Sequence, residues 1–157
     1  VRYWAGDDTR IVVDNDRTNE KECEGEQTAI DDIEEKLGVD IPYLMYRPQG
    51  FKFKDYNISK DFEYALLQYD YKDTILTVYV NKYDKETKSS GASLDGKEIE
   101  TIKLPEEEIS IQVKKIMAKG DKKASYVAYW NNSTEFYQIE AQMEEEEFVK
   151  LIKNIKF

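Results

Sequence analysis

An acidic run near the N-terminus is the best candidate for a cation site. It consists of Asp14, Asp16, Thr18 and Glu20. Oxygen-bearing side chains at alternate positions form the first half of an EF-hand calcium loop. The second half is missing, because Asn19 stands where that loop needs glycine and Gly25 stands where it needs a bidentate glutamate. We therefore predict a solvated acidic loop and no metal site.

The residue types that most often catalyse reactions near neutral pH are scarce in this chain. There is no histidine, which removes the usual general base and the commonest zinc ligand. The single cysteine, Cys23, lies between Glu22 and Glu24, whose negative charges disfavour a reactive thiolate. Two of the 33 acidic residues could still form a glycosidase pair, so a carboxylate-dependent glycan hydrolase is the enzymatic alternative. We expect no enzymatic activity and no cofactor.

The net charge limits the partners that the chain can bind. Its 33 acidic and 23 basic residues give a charge of −10, and a field of this sign repels phosphate backbones and anionic lipids. We therefore expect no nucleic-acid binding. No apolar run approaches the roughly 18 residues of a membrane-spanning helix. The chain opens on Val1 without an initiator methionine, which suggests an upstream segment, and we expect any membrane anchor to lie outside these residues.

Aromatic side chains provide the most promising interaction surface. Many of the 12 tyrosines fall in predicted strands. Our candidate residues are Tyr64, Tyr79, Tyr129, Trp130 and Tyr137. Aromatic residues that share an uncovered sheet face could present a surface to a glycan, a peptide or a protein partner. Cross-strand packing, which stabilises a sheet without any ligand, also accounts for such residues and is the interpretation we favour.

These residues must be positioned by antiparallel strands. Alternating hydrophobicity and turn signals predict strands at 9–14, 51–58, 63–71, 74–82, 97–104, 109–117, 125–130 and 135–141. Lys72 and Asp73 form a connection short enough for a tight hairpin, so neighbouring strands should be antiparallel. Between positions 74 and 82, Leu76, Val78 and Val80 alternate with polar or aromatic residues. One face of the sheet should therefore meet the helices while the opposite face carries tyrosines.

Two helices are predicted to flank these strands. Ile30, Ile33 and Leu37 recur at helical spacing between Thr28, a candidate N-cap, and Gly38, a C-terminal stop. A second helix, at the C-terminus, has one apolar face. That face comprises Phe148, Leu151, Ile152 and Ile155, and we expect it to share a core with Leu76, Val78 and Val80. The glutamates at 144–147 complement the dipole of this helix and are predicted to be structural.

Together these elements predict one α+β domain over residues 1–157. Its core is a single antiparallel sheet of about six to eight strands. A short helix lies in the N-terminal half, and an amphipathic C-terminal helix packs on one sheet face. Residues 1–25 form a peripheral strand and a charged connection, and residues 26–157 form the core.

Several short motifs in this order resemble the bacterial domain of unknown function 4367 family. They are Leu37-Gly38 with Ile41-Pro42, the turn Tyr46-Arg47-Pro48-Gln49-Gly50-Phe51, the aromatic hairpin from Tyr129-Trp130 to Phe136-Tyr137, and the helix from Glu146 to Ile155. The resemblance covers most of residues 26–157. It implies a domain outside the cell in Gram-positive bacteria, behind a single membrane-spanning helix. It also implies sensing or interaction, since such ectodomains look like partners of membrane-anchored regulatory proteins.

The leading hypothesis is therefore a non-enzymatic extracytoplasmic domain of a membrane-anchored protein. We expect it to bind a cell-envelope ligand or a protein partner through the tyrosine-bearing face of the sheet or through its charged loops. The glycan hydrolase remains one alternative, and a structural spacer domain without any binding patch is another.

Overall fold

A computed structural model describes residues 25–82, 96–117, 120, 122–132 and 134–157. The helices are α1 (Glu26–Leu37) and α2 (Glu145–Lys153). The strands are β1 (Tyr43–Leu44), β2 (Phe51–Ser59), β3 (Tyr64–Tyr71), β4 (Thr74–Lys82), β5 (Lys97–Leu104), β6 (Ile109–Ile116), β7 (Ser125–Asn131), β8 (Glu135–Gln142) and β9 (Ile155–Lys156). The predicted first strand, the acidic run and Cys23 lie outside the described residues.

Seven of these strands form one antiparallel sheet in the order β2-β3-β4-β8-β7-β6-β5. Each neighbouring pair is antiparallel, which confirms the predicted fold class and the hairpin interpretation. β4 and β5 follow each other in the described chain, yet β8, β7 and β6 lie between them in the sheet. The late aromatic hairpin, β7–β8, therefore occupies the centre of the sheet next to β4.

The two edge strands are poorly suited to pairing with another chain. The register of β2 shifts between Phe53 and Asp55, and that of β5 shifts between Glu98 and Glu100. Both strands also carry exposed charged side chains, including Lys52 and Lys97. Bulges and charges at a sheet edge disfavour edge-to-edge association.

The first helix ends where the sequence predicts but begins earlier. Gly38 has a φ of 69°, which glycine adopts without penalty, and its backbone N–H donates to the carbonyl of Glu34 at 2.9 Å. The predicted N-cap at Thr28 is wrong, because the helix begins at Glu26 after Gly25 and has no side-chain cap. The buried stripe of Ala29, Ile30, Ile33 and Leu37 nevertheless packs into the core as the periodicity predicts.

Both helices contribute to the same hydrophobic core. Leu76, Val78 and Val80 of β4 belong to one buried cluster with Phe148, Leu151, Ile152 and Ile155, as the sequence predicts. Ile155, however, is not part of α2, because the helix ends at Lys153. Ile155 lies instead in β9, where it pairs with Leu44 of β1 in a separate two-stranded sheet. The C-terminal residues are thereby joined to the chain that follows α1.

Candidate functional site

The sheet has two faces of different composition, and the strand register assigns each side chain to one of them. Alternate residues of a strand point to opposite faces. Leu67, Val78 and Ile139 are in register and belong to the core shared with the helices. The residues one position away, such as Leu66, Tyr79 and Gln138, point to the other face. We call this side, opposite the helices, the tyrosine face.

Two adjacent rows of the tyrosine face carry no charged residue over the strands that they cross. In register across all seven strands, the first row is Thr101, Gln112, Tyr129, Gln138, Tyr79, Leu66 and Asn57. The second row crosses five strands as Asn131, Phe136, Asn81, Tyr64 and Ser59. Lys103 of β5, which pairs with Ser110, lies just beyond the end of this shorter row. We call these twelve residues the uncharged strip. Amide, hydroxyl and aromatic groups make up most of it.

A pair of tyrosines lies at one side of the strip. The rings of Tyr64 and Tyr79 have centroids 5.7 Å apart, and Asn81 Nδ2 donates to the hydroxyl of Tyr79 at 3.0 Å. Burial raises the pKa of Tyr79 above its ordinary value, so this phenol stays protonated and polar but neutral. The other side-chain atom of the amide, Asn81 Oδ1, is buried without a hydrogen-bond partner in the described part of the chain.

Tyr129 lies two strands away in the same row, with Gln138 between it and Tyr79. Both Tyr129 and Gln138 are partly exposed. Lys114, from the neighbouring row, places its ammonium 5.5 Å from the centroid of the Tyr129 ring, a cation–π distance. The central part of the strip therefore alternates phenol and amide groups over three adjacent strands.

The strip has a charged boundary on one side. The next row along the strands includes Glu98, Lys114, Glu140 and Asp55, all on the tyrosine face. Glu140 is exposed and lies two residues from Gln138 on β8. The absence of charge within the strip is thus local, because charged side chains are present on the same face one row away.

The tyrosine face is not evenly exposed, because two of its apolar residues are buried. Val127 is fully buried between Lys114 and Glu140 in register, and Phe136 is 4% exposed between Asn81 and Asn131. Neither belongs to the core cluster beneath the helices. The tyrosine face is therefore a partly covered surface with apolar residues at its base.

Two of the five candidate aromatic residues are not on this face, which corrects the sequence prediction. Trp130 and Tyr137 pair across β7 and β8, in register with Val80, and so point into the core. Their rings stack with centroids 5.1 Å apart and an interplanar angle of 9°, and Phe157 packs edge-on against both. Tyr137 also donates to the backbone carbonyl of Asp40 at 2.8 Å. For these two residues the cross-strand packing alternative is confirmed, and they are unavailable to a ligand.

A buried ion pair, for which the sequence has no local signal, links α1 to the turn before β2. Arg47 donates from Nη1 and Nη2 to the two carboxylate oxygens of Glu26, both at 2.8 Å, and Nε donates to the carbonyl of Leu44 at 2.8 Å. The hydroxyl of Tyr69 donates to the same carboxylate. Arg47 belongs to the turn motif that carries the family resemblance, so this motif has a structural role.

The glutamates that begin α2 are held by tyrosines of the sheet and of the preceding chain. The hydroxyl of Tyr71 donates to Glu144 at 3.0 Å, and that of Tyr46 donates to Glu147 at 2.5 Å. Lys72 and Lys123 lie 3.4 and 3.5 Å from Glu144. The prediction that this acidic run is structural is supported by these contacts.

Asp32 and Glu144 have ionisation behaviour opposite to that of a catalytic acid. A hydrogen bond from its own backbone N–H, with smaller contributions from Tyr71, Lys72 and Lys123, lowers the pKa of Glu144 to about 2. A hydrogen bond from Tyr56 and the nearby Lys36 lower the pKa of Asp32. A general acid at neutral pH needs a raised carboxyl pKa, so neither group is suited to that role.

Within the described residues, no group of three or more acidic or cysteine side chains is arranged to hold a metal ion.

The same residues include no helix that is long and apolar enough to cross a membrane.

Fold and surface together define an α+β sheet domain with helices on one face and an uncharged, tyrosine-containing strip on the other. The family model described as Domain of unknown function (DUF4367) matches residues 41–155. The chain therefore belongs to this family, as the resemblance predicted. The match begins after α1, so Glu26 lies outside it while its partner Arg47 lies inside. Neither a curated protein nor a solved structure matches the chain.

Proposed function

We propose that this chain is a non-enzymatic binding domain of a membrane-anchored protein, that it works outside the cytoplasm, and that its ligand binds the uncharged strip. The strip carries the proposal. Twelve adjoining positions without charge, of which only Phe136 is buried, are unexpected in a chain of which 36% is charged. Interfaces with a partner are typically depleted of charge at their centre and enriched in aromatic residues, with charged groups at the rim.

The chemistry of the chain supports binding rather than catalysis. The sequence has no histidine, and the carboxyl groups of Asp32 and Glu144 are stabilised in their ionised form. Those two carboxylates have partners that fix the fold, since they hold Tyr56 and Tyr71 in place. A spacer domain, for comparison, would have no need of an uncharged surface.

Sedimentation of the chain with an insoluble cell-envelope fraction tests the binding function. The wild-type chain should sediment with the envelope, and Tyr129→Ala should reduce the bound fraction. Glu140→Gln is the matched control, because Glu140 lies on the same face outside the strip. Equal sedimentation of all three proteins, or none by the wild type, would contradict the proposal.

The location is tested separately with the full-length protein in intact cells. An epitope tag fused to this chain should be removed by a protease that is added outside the cell. A cytoplasmic protein of the same cells serves as the control for lysis and should stay intact. A tag that is digested only after lysis would rule out an extracytoplasmic position.

A further inference from the structure

The composition of the uncharged strip restricts the chemistry of its ligand. Binding removes water from the surface, and a charged side chain that loses its water without gaining a counter-charge is costly. The strip avoids this cost for a ligand that is itself uncharged. No member of the strip carries a charge that could neutralise a charged polymer. The nearest ammonium, that of Lys114, already lies 5.5 Å from the centroid of the Tyr129 ring.

The groups in the strip suit a ligand that is covered with hydroxyl groups. Gln112, Tyr129, Gln138 and Tyr79 follow one another in a single row over four adjacent strands. A carboxamide both donates and accepts hydrogen bonds, as a sugar hydroxyl does. A tyrosine combines an apolar ring, which can contact the C–H face of a sugar, with a polar hydroxyl. Alternation of these two groups matches the alternating apolar faces and hydroxyl edges of a glycan chain.

The dimensions of the strip favour an extended polymer over a folded protein. Its longer row crosses seven strands, or six spacings of about 4.8 Å, which gives a length of about 29 Å. The shorter row crosses five strands and is about 19 Å long, so two rows of about 7 Å width cover roughly 340 Å². A standard protein–protein interface needs about 800 Å² from each partner. The strip is therefore long and narrow, and it is less than half the size that a globular partner requires.

A peptide is less suited to this surface than a glycan. Extended peptides commonly add to a sheet edge, where their backbone pairs with the outer strand. Both edge strands have register shifts, one between Phe53 and Asp55 and one between Glu98 and Glu100. They also carry exposed charged side chains. The strip instead presents side chains from the middle of the sheet.

We propose that the ligand of the uncharged strip is a neutral polysaccharide that lies across the strands and contacts Tyr129, Gln138 and Tyr79. This inference depends on the proposed binding function, since it names the ligand class of the same surface. It predicts binding that is insensitive to salt, because no ion pair is formed.

Affinity electrophoresis of the 157-residue chain tests the ligand class. The neutral probes are a dextran, a soluble β-glucan and a mannan, and polygalacturonate is the anionic probe. We expect at least one neutral polymer to retard the chain, with equal retardation in low and high salt. Tyr129→Ala and Gln138→Ala should each weaken that binding about fivefold, roughly 1 kcal/mol. Glu140→Gln should leave it unchanged.

A charge placed in the strip distinguishes neutral from anionic ligands. Gln138→Lys should weaken binding of the neutral polymer, because the ammonium must lose water when the polymer covers it. Thermal unfolding of every variant shows whether it is folded. Retardation by polygalacturonate alone, or stronger binding after Gln138→Lys, would overturn the proposal in favour of an anionic ligand.

Two further outcomes would also reject the inference. If no neutral polymer binds while the chain still sediments with the envelope, the ligand class is wrong but the binding function stands. Tyr129→Ala and Gln138→Ala could instead lower the melting temperature without changing how strongly a polymer retards the chain. That result would mean that the strip is covered by the chain itself. Failure of both the sedimentation and the electrophoresis would reject the proposed function as well.

Discussion

Arg47 and Glu26 form a two-pronged ion pair inside the protein, with side chains that are only 3% and 6% exposed. Every oxygen of the carboxylate accepts a hydrogen bond, and the guanidinium also lies 4.9 Å from the centroid of the Tyr43 ring. A buried charge is tolerated when it is paired and fully hydrogen-bonded. The pair therefore fixes α1 relative to the turn before β2.

Removing one partner of this pair should be strongly destabilising. Arg47→Met leaves the charge of Glu26 buried without its counter-charge, and we expect the free energy of unfolding to fall by about 3–5 kcal/mol. Urea denaturation measures the change. Lys54→Met is the matched control, since Lys54 forms a half-exposed pair with Asp70 at 3.9 Å and should cost about 1 kcal/mol or less. Similar losses of unfolding free energy for the two variants would show that the buried pair stabilises the fold no more than the half-exposed pair does.

The sequence predicted the sheet well because its signals are local. In β4 the alternation of aliphatic with polar or aromatic residues indicates which side faces the helices, and Val78 and Tyr79 lie where it predicts. The stop at Gly38 depends on a single residue's backbone freedom and was equally predictable. Turns and strand lengths are determined by short stretches of sequence, so the predicted bounds of β2 to β8 agree closely with those in the structure.

The site was predictable only in part, because it depends on register between distant strands. In β7, apolar and aromatic residues occupy both faces: Val127 and Tyr129 point one way, while Tyr126 and Trp130 point the other. With no polar alternation, the sequence does not indicate which aromatic ring is buried, so Trp130 was assigned wrongly. The Glu26–Arg47 pair spans 21 residues, and no local pattern connects two such charges.

The pKa of Glu144 predicts a stability loss in acid. Its folded-state pKa, about 2, lies below the ordinary value of 4.5. The ionised carboxylate therefore contributes stability that is fully present above pH 4.5 and disappears as the pH falls towards 2. Glu144→Gln should destabilise the protein at neutral pH, and its stability should approach that of the wild type near pH 2.

Urea denaturation across this pH range measures the difference between Glu144→Gln and the wild type. Glu146→Gln removes the same charge from an exposed position of the same acidic run and serves as the control. We expect its effect to be smaller at neutral pH. A difference between wild type and Glu144→Gln that stays constant from neutral pH to about pH 2 would disprove the linkage.

Tyr137 and Tyr129 should respond differently to loss of their hydroxyl groups. Tyr137→Phe removes the part-buried hydrogen bond from its hydroxyl to the carbonyl of Asp40, which we expect to cost about 1 kcal/mol of unfolding free energy. Tyr129 is partly exposed on the tyrosine face, so Tyr129→Phe should change stability by about 0.5 kcal/mol or less. Thermal or urea unfolding of the two variants measures both effects. The reverse order would mean that the two tyrosines have been assigned to the wrong faces.

Gly96 should tolerate substitution less well than Gly50, although both have positive φ angles. The φ of Gly50 is 87°, and a Cβ there would contact nothing within 4 Å, so Gly50→Ala should cost only backbone strain of about 1–2 kcal/mol. The φ of Gly96 is 142°, and its Cβ would lie 2.9 Å from Ile116 Cγ1 and 3.1 Å from the carbonyl oxygen of Lys115. The Ile116 side chain can rotate away, but the Lys115 carbonyl is fixed by the strand. Gly96→Ala should therefore lower the melting temperature more than Gly50→Ala in parallel thermal unfolding experiments. An equal or smaller decrease would mean that the start of β5 can move away from the end of β6 at little cost.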